Sequence, residues 1–141
     1  MNGKRCKMTD KELLKTAIEA RKDAYTPYSH FKVGAALLTK SGKVYTGGNI
    51  ENASYTPTVC AERVAFFKAI NNGEREFSKI AVVGGKDGED VVFCAPCGVC
   101  RQVMAEFGDD DFEIILGTLD NFKAYKLDEV LPFRFGPKDL N

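Results

Sequence analysis

The chain has 141 residues, 44% of them hydrophobic and 28% charged, with 20 Lys and Arg against 20 Asp and Glu. This size and apolar content fit one compact domain spanning residues 1–141. The balanced charge lacks the basic stripe by which polynucleotide binders release counterions from phosphates, and no apolar run approaches the roughly 20 residues needed to cross a bilayer.

Residues 1–8 read as a frayed N-terminus, in which Lys4, Arg5 and Lys7 form a short solvated basic cluster. Met1 to Lys7 lack the apolar stretch of a signal peptide, which points to a cytoplasmic protein with reduced thiols. Thr9-Asp10-Lys11-Glu12 is a capping-box pattern. Leu13, Leu14, Ala17, Ile18 and Tyr25 follow at helical spacing. The segment Tyr25-Thr26-Pro27-Tyr28-Ser29 breaks that helix. Phe31 to Leu38 then predicts a strand and Lys43 to Thr46 its partner, joined by a turn at Ser41-Gly42.

A polar loop from Ile50 to Val59 leads into a helix over Cys60 to Asn72, closed by Gly73 at C′. Lys79 to Gly85 has the continuous apolar character of a buried strand, and Val91 to Cys94 is a shorter extended piece. Pro96 opens a helix from Cys97 to Phe107, ended by Gly108. Phe112 to Leu116 predicts a further strand, and Tyr125 to Phe135 a short edge strand or helix followed by loop. Helices alternating with strands favour parallel pairing after an initial hairpin. The expected fold is α/β, a three-layer α/β/α arrangement with a mixed sheet of roughly five strands.

The five cysteines are an odd number and a poor disulfide framework. In a reducing compartment the C-x-x-C pair at Cys97 and Cys100 reads as a metal or redox site. A second motif, Cys60-Ala61-Glu62, also begins a helix. Helix N-termini favour the thiolate form that binds zinc. Cys60 and Glu62 are two residues apart, so they converge on one metal only if Cys60 occupies the cap or first turn.

Three thiolates without a fourth protein ligand would leave the open tetrahedral position that a catalytic zinc needs for water. Such a site carries net negative charge, which opposes activation of that water. Arg63 and Arg101 are the candidates to compensate; either could instead be an ordinary surface residue, and for Arg101 the two readings weigh about equally. Cys94, three residues before Cys97, is either a fourth ligand or a small core residue. The fourth-ligand reading would make the protein a non-catalytic, zinc-stabilised binding module. His30, the single histidine, lies in the loop before the first strand and reads as an ordinary polar residue.

The run C-A-E…P-C-G-V-C-R-Q resembles the zinc deaminase signature in its all-cysteine form. With Y-S-H-F-K-V-G-A-A-L, G-N-I-E-N-A-S-Y and L-P-F-R-F-G-P in order, nearly the whole chain is similar to the homotetrameric type of cytidine deaminase. That resemblance implies hydrolytic deamination of cytidine and 2′-deoxycytidine, a pyrimidine-salvage reaction, with one Zn²⁺ per subunit. It implies Glu62 as catalytic acid and base, Cys60, Cys97 and Cys100 as zinc ligands, and Arg63 as the residue that tempers their charge.

The same resemblance places Phe31 against the pyrimidine, Asn49 and Glu51 on the ribose hydroxyls, and Ala61 in the substrate site. Tyr55 and a C-terminal aromatic, Phe135 or its near neighbour Phe133, would enter a neighbouring subunit's site in a homotetramer. No nucleic acid or membrane partner is expected. The nearest rival is a deaminase of blasticidin-S type within the same superfamily, against which N-I-E-N-A-S and Phe31 favour a nucleoside.

Overall fold

The computed structural model describes residues 8–141; Cys6 and the Lys4, Arg5 and Lys7 cluster lie outside them. Helix α1 (Asp10–Ala20) starts as its sequence dictates. The Thr9 hydroxyl accepts from the Glu12 N–H, and the Glu12 carboxylate accepts from the Thr9 N–H, a complete capping box. Its buried stripe is Leu13, Leu14, Ala17 and Ala20. The helix gives way to a 3-10 turn at Arg21–Asp23, so Tyr25 is not part of that stripe. Tyr25 is 58% exposed and pairs with Ile50 in an isolated bridge.

Strands β1 (Phe31–Thr39) and β2 (Val44–Gly48) form the antiparallel hairpin. Helix α2 (Ala61–Asn71) follows the polar loop and leads to β3 (Phe77–Lys86). Helix α3 (Gly98–Phe107) precedes β4 (Glu113–Thr118), β5 (Asn121–Lys126) and the single-turn α4 (Leu127–Val130). The sheet order is β2-β1-β3-β4-β5, mixed because only β3 and β4 run parallel.

Strand alternation sends Ala36, Ala81, Val83 and Ile115 to the α1 face. Ala35, Leu37, Ile80, Val82, Ile114 and Leu116 go to the face covered by α2 and α3. The result is three layers with apolar packing on both sides of the sheet. Phe66 of α2 anchors the second face, its ring 5.2 Å from Phe77 and 6.1 Å from Phe107 and Phe112.

Two expectations are corrected in detail. The C-terminal strand begins at Asn121, before the expected Tyr125, because Thr118 to Asn121 form a tight antiparallel turn back from β4. Val91 to Cys94 contribute only a single bridge, Gly84 with Val92, rather than a strand. Among the described residues no helix is long and apolar enough to cross a membrane.

One close approach positions the site. A Cβ on Gly47 would lie 2.3 Å from the Ala61 carbonyl oxygen, so only glycine in β2 admits the first turn of α2 at this distance. That contact sets Ala61 and Glu62 directly against the sheet.

Candidate metal and active site

Cys60 and Cys97 are the N-cap residues of α2 and α3, each with an extended backbone. The cap position resolves the spacing problem of C-A-E, since Cys60 stands outside the helix and can share a target with Glu62. The Cys60 and Cys97 sulfurs are 3.6 Å apart. Cys97 Sγ accepts from the Cys100 N–H at 3.5 Å. The sulfurs of Cys60, Cys97 and Cys100 all lie within 4.8 Å of one another. All four described cysteines are free thiols, and Cys94 is not in the group.

A tetrahedral zinc bound at about 2.3 Å by each sulfur would space them roughly 3.7 Å apart. The observed cluster fits that donor set, with three soft ligands and no fourth from Cys94. The electrostatics fit as well. Hydrogen bonding from the Cys100 thiol, with Arg63 and Cys97, lowers the Cys60 thiol to about 5. Cys100 is driven upward by that same shared hydrogen and by burial. Three sulfurs this close cannot all ionise without a cation among them.

Arg63 Nη2 donates to Cys60 Sγ at 3.5 Å, which puts a positive charge on the cluster. Its Nε is buried without a hydrogen-bond partner, a cost that marks a site rather than a surface. Arg101, the other candidate for compensation, instead directs its guanidinium to the carbonyls of Pro96 and Val130.

Glu62 is 3% exposed, in the first turn of α2. Burial pushes its carboxyl up to about 7, with the Cys60 charge adding to the effect. A carboxyl that takes and releases a proton near neutral pH is suited to acid and base roles in one reaction. Burial also raises Cys94 to about 11, which leaves it a neutral thiol beside the site.

Phe31 opens β1, half-buried, and a Cβ on Gly84 would meet both its ring edge and Cys94 Sγ at 2.8 Å. The Asn49 amide bridges β1, donating to the Phe31 carbonyl at 3.0 Å and accepting from the Val33 N–H at 2.9 Å. Each end of that amide retains capacity for one further bond. Glu51 accepts from the Tyr28 and Ser29 N–H groups at 3.0 and 3.1 Å and from the Ser29 hydroxyl. Those bonds hold its carboxyl below the ordinary range.

Ser29 was invisible as a site residue from sequence, although a serine just after Pro-Tyr is a turn signal. Tyr55 is 80% exposed and Phe133 fully so, and both have left-handed φ, +60° and +55°. Phe135 is 60% exposed. A surface groove of about 650 Å³ is lined by Asp110, Phe133 and Arg134, and none of the three clustered cysteines nor Glu62 borders it.

Comparison with known proteins gives a consistent picture. The sequence model described as the cytidine and deoxycytidylate deaminase zinc-binding region matches residues 7–116. A cytidine deaminase of Halalkalibacterium halodurans is 51% identical over 130 residues, covering 92% of this chain and 96% of that protein. The crystal structure of a cytidine deaminase from Burkholderia pseudomallei superposes with a TM-score of 0.82 at 46% identity, over 91% of this chain and 100% of that one. A blasticidin-S deaminase of Bacillus cereus is 32% identical over 130 residues, 89% of this chain and 91% of that protein. The chain belongs to the cytidine and deoxycytidylate deaminase family, whose zinc-binding region it carries.

Proposed function

We propose that this chain is a single catalytic domain that hydrolyses cytidine and 2′-deoxycytidine to the uracil nucleosides and ammonia. The observation that carries the reading is a buried carboxyl, Glu62, in the first turn of the helix that Cys60, one of three clustered cysteines, caps. In this reading Cys60, Cys97 and Cys100 hold zinc. When bound, zinc acts as a Lewis acid that lowers the pKa of water to about 7.

The rest is work for the chain's own residues. Glu62 takes a proton from the attacking water and passes it to ring N3, so that C4 becomes electrophilic as the C4–O bond forms. The same carboxyl then takes the remaining proton from the C4 hydroxyl and gives it to the departing amino group, as the C4–N bond breaks and the C4 carbonyl forms. One water enters and one ammonia leaves, and Glu62 returns to its starting state. Arg63 offsets the thiolate charge. Phe31 packs against the base, with Ala61 at the first turn of α2 bordering it. Asn49 and Glu51, already oriented by their bonds to β1 and to the Tyr28–Ser29 turn, bind the ribose.

The nucleoside reading rests on the cytidine deaminase relatives, more similar to this chain than the blasticidin-S relative. The protein would work in the cytoplasm as a homotetramer. Tyr55 and the tail aromatics, Phe135 with Phe133, are the exposed side chains that would complete neighbouring sites. Strained aromatics held in solvent are what such an assembly would bury.

The test is the loss of absorbance near the cytosine band when purified protein meets cytidine, run beside blasticidin S. Cytidine turnover with blasticidin S left intact is expected. The reverse outcome would assign the rival activity.

A further inference from the structure

Arg101 commits its guanidinium to backbone carbonyls and not to the sulfurs that its charge would suit. Nε donates to the Pro96 carbonyl at 2.7 Å and Nη1 to the Val130 carbonyl at 2.6 Å, both bonds partly buried. Pro96 is buried and immediately precedes Cys97, the N-cap of α3. The first bond therefore fixes the peptide that aims the Cys97 sulfur. The second fixes the last residue of α4. The next residue of α3, Gln102, donates from Nε2 to the Phe135 carbonyl at 2.8 Å. Two consecutive side chains of one helix thus hold both ends of segment 130–135. A planar guanidinium can meet two carbonyls from different directions without bending, whereas an ammonium is a single point.

We infer that Arg101 is a positioning residue that locks the Pro96–Cys97 turn to the end of α4, coupling metal retention by the cysteines to the placement of segment 130–135. The inference rests on the reading of Cys60, Cys97 and Cys100 as zinc ligands. Groups outside a metal's ligand shell that fix its ligands commonly govern affinity without touching the ion.

The experiment compares zinc-loaded wild-type protein with Arg101→Lys and Arg101→Met. Zinc affinity is measured by competition with a chromophoric chelator, and hydrogen exchange across 131–136 before and after chelation. Both variants are expected to bind zinc about 10- to 100-fold more weakly. Lysine, which keeps the charge but cannot span both carbonyls, should be no better than methionine. In the wild type, chelation should accelerate exchange in 131–136. In Arg101→Met that exchange should already be fast and should no longer respond to the metal.

Wild-type zinc affinity in both variants would overturn the inference, as would full rescue by lysine, which would return Arg101 to a purely electrostatic role. A lowered melting point with unchanged zinc affinity would likewise reduce it to ordinary packing. If the wild type itself takes up no zinc, the ligand assignment fails and the inference fails with it.

Discussion

Cys60 and Cys97, separated by 37 residues, cap two different helices and meet with their sulfurs 3.6 Å apart. Two helix N-termini therefore aim their partial positive charge at one point, where thiolates gather. Cys100 joins them from the first turn of α3, while Cys94 stays outside the group. Replacing Cys60, Cys97 or Cys100 by serine should each abolish stoichiometric zinc in purified protein, measured by elemental analysis. Cys94→Ser should retain it. Loss of zinc in Cys94→Ser would restore the four-ligand structural site and remove the open position.

Glu62→Gln separates chemistry from folding. The glutamine keeps the shape of the side chain but cannot cycle a proton, so turnover should fall by about 10³-fold or more while zinc stays bound. The same variant makes a stability prediction for the chelated protein. In that state the folded carboxyl sits at about 7, above its ordinary value of 4.5. Between those values the folded chain binds more protons than the unfolded one, so stability falls as pH rises through this window and then levels off. Removing the charge should therefore stabilise the metal-free protein by about 3 kcal/mol at pH 8 and by almost nothing at pH 4. Urea titrations of chelated wild type and variant at the two pH values would show it. Equal stabilisation at both would refute the buried-charge account.

The sulfur cluster was legible in the sequence because its ligands come in two short motifs whose helix-start position is written locally, in Thr-Pro-Thr before Cys60 and in Pro96 before Cys97. The three layers were legible from the alternating and continuous apolar runs that became β1, β3 and β4. What could not be read depends on carbonyls, which carry no sequence signal. Arg101 looked like a charge partner for the thiolates because it adjoins Cys100. Its real acceptors are the local carbonyl of Pro96 and that of Val130, and the second comes within reach only once α4 docks against α3. The start of β5 at Asn121 was hidden for a related reason. Its exposed edge alternates weakly, and it is the register with β4 that defines it.

Arg21 is a second such case. Its guanidinium donates to the carbonyls of Lys32, Gly85 and Lys86 at 2.9, 2.9 and 3.1 Å, joining the end of α1 to the β1 and β3 ends that carry Phe31. Charged donors to backbone carbonyls contribute more than neutral ones. Arg21→Met, which keeps the stem, should cost about 2 kcal/mol and lower the melting temperature by roughly 5 °C. Arg21→Lys should recover less than half of that loss, because the three donors of an ammonium radiate from one nitrogen and lack the spread of the guanidinium, which reaches carbonyls of both strands from Nε and Nη2. Full recovery by lysine in a thermal melt would show that charge alone is what the site requires.

Gly84 lies under the proposed base platform, and its substitution should act on substrate before it acts on the fold. A methyl there would meet Phe31 Cε1 and Cys94 Sγ, each at 2.8 Å, so both side chains must move. Neither is a long flexible chain, and Phe31 is held at its backbone by the Asn49 amide. Overpacking of this kind costs about 1–3 kcal/mol, which a folded domain of this size tolerates. Gly84→Ala should therefore fold and bind zinc, with KM for cytidine raised about tenfold and kcat changed far less, since Glu62 and the sulfurs stand on other elements. The double variant Gly84→Ala with Cys94→Ala removes the sulfur clash, leaving the Cys94 Cβ at 3.0 Å, and should recover part of the lost affinity. A fall in kcat at constant KM would instead place the disturbance at the sulfur cluster and remove Phe31 from the base pocket.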